Sequence, residues 1–206
     1  KIRPPIYATP ATCGQLADQL PHGAELLQSR LPGAGFAVGE LWIEPFATPH
    51  DAAGSVGYVL SGGGRTMALC TDLGHVTDQV RQAVAGCDLL VCETNYDPDW
   101  MRTGPYPYAL KQRIMGDHGH LSNQDGAELA AMSVQSGASI VILAHLSAEN
   151  NTPARALETV SRRLRAMGCD PEEDITLAVA PRKEVGPTYR LERRLAAAGE
   201  KEGGLC

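Results

Sequence analysis

The spacing of apolar and polar residues changes character partway along the chain. Up to Thr71 the apolar residues fall mostly in short extended runs; from Thr77 onward, strand-like runs alternate with stretches of helical spacing. At the start, Thr9-Pro10 offers an N-cap and a proline at the first helical position, which predicts a helix to about Leu20. The turn Pro32-Gly-Ala-Gly35 precedes an extended stretch from Phe36 to Thr48. Two strands follow, Ser55–Leu60 and Thr66–Thr71, joined by Ser61-Gly-Gly-Gly64, a hairpin loop longer than the tightest kind.

The second half reads as strand and helix in turn. Thr77 caps a helix to Ala85 that Gly86 stops. Asp88–Glu93 is a short buried strand, and Pro98 to Pro107 reads as a loop carrying Trp100 and Tyr106. Ser122-Asn-Gln-Asp125 matches a capping box and opens a helix to Ser136. Ser139–Ala144 is a buried strand, Thr152-Pro153 starts an amphipathic helix ending at Gly168, and Ile175–Ala180 is the last strand. The charged, Ala- and Gly-rich residues 193–206 read as a frayed tail after one domain over residues 1–192. Hairpins followed by alternating elements suit two packed sheets with helices outside, and periodicity alone says α/β or α+β.

Composition narrows the class. A chain of 206 residues with 43% hydrophobic residues can bury a core, and its net charge of −6 excludes a generally basic coat while leaving room for a local basic groove. No apolar run approaches the ~20 residues of a membrane helix. The six cysteines form no CxxC pair and several lie in apolar runs, so the reading is free thiols in a cytoplasmic protein.

Candidate chemistry sits at strand ends, where a rigid scaffold presents function. His50 lies in Thr48-Pro-His-Asp-Ala-Ala-Gly-Ser-Val-Gly-Tyr58, Asp72 in Cys70-Thr-Asp-Leu-Gly74 and His145 in Leu143-Ala-His-Leu-Ser147. Imidazole nitrogens and a carboxylate are the donors a zinc-like ion takes, at about 2.0–2.2 Å. Alone, each residue reads more simply as a loop or turn residue; their shared placement favours ligands. Ser147 and the amides of the following helix offer an anion site. Lys111 and Arg113, close in sequence to His120, are candidates for phosphate contacts. Arg155, Arg162, Arg163 and Arg165 read as a solvated helix face beside Glu158. His75 and His118 read as surface histidines.

Several segments in one order, over Phe46 to Pro153, resemble the YycJ/WalJ-type branch of the metallo-β-lactamase superfamily and are similar to tRNase Z enzymes. They include Thr48-Pro-His-Asp-Ala52, Thr71-Asp-Leu-Gly74, Glu93-Thr-Asn95, Gly104-Pro-Tyr-Pro107, Gly119-His-Leu-Ser-Asn123 and His145-Leu-Ser-Ala-Glu-Asn-Asn151. The resemblance implies an αββα sandwich and a hydrolase with two divalent ions, zinc, manganese or iron. It makes His50, Asp72 and His145 metal ligands, Asp72 bridging. It makes Glu93 a carboxylate that orients His120, the proton donor to a leaving oxygen. Asn123, Ser147 and Lys111 are then expected at the substrate, which is nucleic acid or another phosphodiester. Where the related branch has a histidine this chain has Tyr96. The family's His-x-His-x-Asp-His motif does not occur, and its usual place is shortly before a stretch like the opening Lys1-Ile-Arg-Pro-Pro-Ile-Tyr-Ala-Thr9. The expectation is a sandwich lacking its N-terminal portion, with weak metal binding and little hydrolysis by these residues alone. A non-catalytic binding module and a lactonase or thioesterase are the competing readings.

Overall fold

In the computed structural model, which describes residues 3–20 and 22–192, β1 (Ile6–Ala8) leads into α1 (Pro10–Gln19) through the expected cap. Thr9 Oγ1 accepts from Thr12 N, and it donates to Gly54 O, tying the helix start to the loop that follows His50. β2 (Leu27–Ser29) pairs in parallel with β1 as a separate two-stranded sheet. The tail expected at 193–206 lies outside the described residues.

The main sheet has seven strands whose spatial order is their chain order: β3 (Phe36–Val38), β4 (Leu41–Ala47), β5 (Val56–Gly62), β6 (Arg65–Cys70), β7 (Leu89–Glu93), β8 (Ile140–Ala144) and β9 (Thr176–Val179). β3 to β6 are antiparallel; β6 to β9 are parallel. The parallel connections carry α2 (Asp78–Val84), α5 (Asn123–Gln135) and α6 (Pro153–Ala166). Ser122 Oγ accepts from Asp125 N, and Thr152 Oγ1 from Arg155 N, as the capping patterns predict.

Two expectations need correction. The β5–β6 ladder continues to Gly62 opposite Arg65, so the turn is only Gly63-Gly64, with φ of 59° and 71°. Two successive left-handed residues make the tight turn that matches strand twist, and glycine adopts that backbone without a Cβ penalty. The supposed loop after Pro98 contains α3 (Pro98–Thr103) and is followed by α4 (Tyr108–Met115). Asp97 caps α3, accepting from Asp99 N and Trp100 N at 3.0 Å each, with proline at the first helical position. The described residues form one large sheet and the small β1–β2 pair, a mixed α/β architecture as expected.

Register shows how the core is layered. Ala68, Leu90 and Val141 are aligned neighbours, as are Cys70, Cys92 and Leu143. These residues pack with Val80 and Val84 of α2, Leu129 of α5 and Val160 and Leu164 of α6, so the three helices cover one face. No helix among the described residues is long and apolar enough to cross a membrane.

Candidate metal centre

The parallel strands β6, β7 and β8 end side by side, and each delivers one group to the same edge. Asp72 follows β6, Glu93 closes β7 and His145 follows β8. This edge, beyond the carboxyl ends of parallel strands, is where α/β sheets place ligands. Asp72 and His145 have φ of 59° and 58°, a left-handed backbone uncommon for residues other than glycine. The turn at His145 is held by Asn95, whose amide donates to His145 O at 2.7 Å and whose carbonyl accepts from Ser147 N at 2.8 Å.

His50 and His120 arrive from two interlocked loops. Asp51 N donates to His118 O, Gly74 N to Pro49 O, and His50 Nδ1 to Gly119 O at 2.9 Å. A Cβ on Gly119 would lie 2.1 Å from Ile114 O, and one on Gly74 2.1 Å from Asp117 O. Only glycine permits these approaches, and without them the two histidines separate.

Glu93 organises the centre from beneath. Its side chain is fully buried, and Oε1 accepts from His120 Nδ1 at 2.7 Å and from His145 Nδ1 at 2.8 Å. Oε2 accepts from Leu73 N at 2.8 Å. Burial alone pushes this carboxyl up; the bonds from His120 and His145, with Leu73 N, prevail and hold it below its ordinary value. The hydrogen bond to Glu93 raises His145 above the usual histidine range despite its own burial.

With Nδ1 of each imidazole committed, Nε2 is the nitrogen left for chemistry. Asp72 Oδ1 lies 3.4 Å from His50 Nε2 and 3.7 Å from His145 Nε2. Ligands about 2.1 Å from a tetrahedral ion stand about 3.4 Å apart; donor atoms mutually within 4.8 Å are offered by His50, Asp72 and His120 and by Glu93, His120 and His145, and these two sets have the chemistry for a divalent cation. His120 neighbours both, its ring centroid 4.9 Å from that of His50 and 5.1 Å from that of His145.

The structure therefore brings together His50, Asp72, Glu93, His120 and His145. It gives other expected residues different surroundings. Asn123 is fully buried and exchanges side-chain amide bonds with Asn151, at 2.7 and 3.1 Å, which fits a clamp between loops better than the expected substrate contact. Lys111 Nζ donates to Arg102 O at 2.7 Å, supporting the end of α3. Ser147 Oγ accepts from Glu149 N and Asn150 N, bracing its own loop. Tyr96 is buried, and burial with the nearby Asp125 and Glu93 charges pushes its phenol up to about 12, so it is no neutral-pH base. Arg155, Arg163 and Arg165 pair with Asp97, Glu128 and Glu172, in keeping with a solvated helix face. Sequence reasoning missed Asp51, whose Oδ1 lies 3.5 Å from His50 Nε2 and whose carboxyl the Arg113 hydrogen bond holds below its usual range. Its position directly after His50 was the available signal.

Comparison with known proteins gives the family and the fold. A family model described as a beta-lactamase superfamily domain matches residues 1–146. The chain is 36% identical over 130 residues to exodeoxyribonuclease YycJ of Bacillus anthracis, covering 63% of this chain and 49% of that protein. It spans about half the length of the curated relatives it matches (49% and 47% of them). Among solved structures it resembles the metallo-β-lactamase fold protein YhfI of Bacillus subtilis, with a TM-score of 0.61, 17% identity and coverage of 85% of this chain and 61% of that one. The short form of human tRNase Z matches with a TM-score of 0.52, 19% identity and coverage of 71% and 62% respectively.

Proposed function

Because this chain belongs to the beta-lactamase superfamily, we propose that it carries the catalytic edge of a metal-dependent phosphodiesterase, acting as an exonuclease on nucleic acid. The observation that carries this reading is the buried Glu93 carboxylate, shared between His120 and His145 beside Asp72. A simple ester hydrolase needs no second imidazole locked by a carboxylate at the leaving-group side. The exodeoxyribonuclease name of a relative supports a polymer substrate.

We assign His50, Asp72 and His145 as the ligands this chain contributes to a site for one or two divalent ions. Imidazole and carboxylate donors accept zinc, manganese or iron. When bound, the ion supplies positive charge for the phosphate oxygens and a water acidified toward neutral pH. His120 donates a proton from Nε2 to the departing oxygen. Glu93 fixes the ring through Nδ1, which turns Nε2 toward the departing oxygen. Asp51 Oδ1 stands on the Nε2 side of His50, beside the proposed ion, and Arg113 steadies Asp51. The described cysteines are free thiols, which suits a reducing, cytoplasmic setting.

The test is end-labelled oligodeoxynucleotide cleavage under single-turnover conditions with zinc or manganese, by a protein that joins these residues to the His-x-His-x-Asp-His ligands. His120→Ala is expected to slow cleavage by about 10²–10⁴-fold while metal affinity is kept. An unchanged rate removes the proton donor. Cleavage of lactones or thioesters without phosphodiesters overturns the substrate class.

A further inference from the structure

A cleft of about 690 Å³ opens directly beside His145, and the chemistry proposed above does not use it. Its walls are the loop after β8 and the segment after β9: Leu146 and Ala148 on one side, Val179 and Pro181 on the other. The volume falls within the ~300–1,000 Å³ typical of small-molecule sites, so it admits a nucleoside but no duplex. The lining is mostly aliphatic, which suits the face of a base. Asn151 also lines it, its amide bonded to Thr94 O, Asn95 O and Asn123 Oδ1, and the remaining polar character lies at two places. His145 stands at the metal-centre end, and Arg182 contributes a guanidinium anchored by its Nη2 bond to Leu146 O at 2.7 Å. No acidic residue lines the cleft among the described residues, so its charge favours an anionic ligand.

We propose that this cleft seats the terminal nucleoside of the substrate strand, unpaired from its complement, with the scissile phosphate at His145 and Arg182 facing the adjoining phosphate. The proposal rests on the phosphodiesterase reading and adds to it the reason for end-directed action. A base must leave its stack to enter, which a strand end does at lower cost than an internal position. Leu146, Ala148, Val179 and Pro181 become specificity-determining residues, and Arg182 a phosphate-binding one.

The experiment uses the 206-residue chain and two probes, deoxyadenosine 5′-monophosphate and inorganic phosphate, titrated by methyl and backbone NMR. The nucleotide is expected to bind at least about tenfold more tightly than phosphate, shifting the Leu146 and Val179 methyls. Ala148→Trp, which fills the cleft, should bring the nucleotide's affinity down toward that of phosphate. Ala180→Trp fills it from the opposite wall and gives a second reading if the first variant misfolds. Equal binding of the two probes, or unchanged nucleotide affinity in a folded tryptophan variant, overturns the proposal. Binding is read without turnover, so the two readings fail separately. Phosphodiester cleavage with no nucleotide preference in the cleft sinks the cleft alone; loss of cleavage chemistry with nucleotide still held there sinks the enzyme reading alone.

Discussion

Glu93 works as the shared acceptor of two imidazoles and one backbone amide, all from inside the protein. Replacement by glutamine keeps the shape but removes the charge and turns one acceptor into a donor. The side-chain amide nitrogen would then face either Leu73 N–H or the histidines, leaving a buried donor without an acceptor. Glu93→Gln is therefore expected to cost about 1–3 kcal/mol of stability and about 10–100-fold in metal affinity. Urea unfolding and zinc competition against a chromophoric chelator check the two numbers; an unaltered zinc affinity would show that Glu93 is only a packing residue. The sequence singled out His50, Asp72 and His145 by their places at strand ends, and Glu93 and His120 through the family resemblance; the fold brings the five together. Glu93's second partner was not legible there. That His145 joins His120 on the same oxygen depends on Glu93 and Ala144 being register neighbours across β7 and β8, and no local pattern encodes register. The left-handed backbone at Asp72 and His145 was hidden for the same reason, since surrounding contacts impose it.

Among the elements, the helices with apolar periodicity were readable and α3 was not. Its six residues, Pro98–Thr103, are too few to show a period, and the signal lay in the cap: Asp97 followed by proline. Asp97 also binds Arg155 of α6 at 2.9 Å, and Arg155 lies over the Trp100 ring at 4.2 Å, so the cap links α3 to α6. Partial burial pushes the Asp97 carboxyl up, but the Trp100 and Asp99 amides and Arg155 outweigh this and hold it below its ordinary value. A depressed carboxylate contributes stability that is present above the unfolded-state pKa of about 3.9 and is lost as pH falls through the lower folded-state value. Asp97→Ala is thus expected to cost about 1–2 kcal/mol near neutral pH, and the gap to wild type should close as pH drops below about 4. Chemical denaturation from pH 7 to pH 3 reads this directly. A gap that stays constant through acid would mean that the cap's charge contributes nothing.

At the scale of the molecule, α2, α5 and α6 cover one face of the seven-stranded sheet, while Tyr58, Leu69, Val91 and Ile142 form a row of half-buried neighbours on the other. The sequence pattern of strands and helices predicted the α/β class, but it did not show that β1 and β2 would pair apart from the main sheet. Sheet partnership is a long-range property that periodicity does not carry. The metal centre is long-range in the same sense. Its proposed ligands come from the loops around His50, Asp72 and His145, which are neighbours only in the folded chain, so an ion that binds them binds the native state and not the unfolded one. Zinc at 100 times its dissociation constant should then stabilise the protein by about 2.7 kcal/mol, raising the melting temperature by roughly 5–10 °C for a chain of this size. Chelation should reverse the rise, and His50→Ala or His145→Ala should abolish it. A melting temperature indifferent to zinc, or one that still responds after both histidines are removed, would place the ion elsewhere and leave the cluster as a hydrogen-bonded network around Glu93.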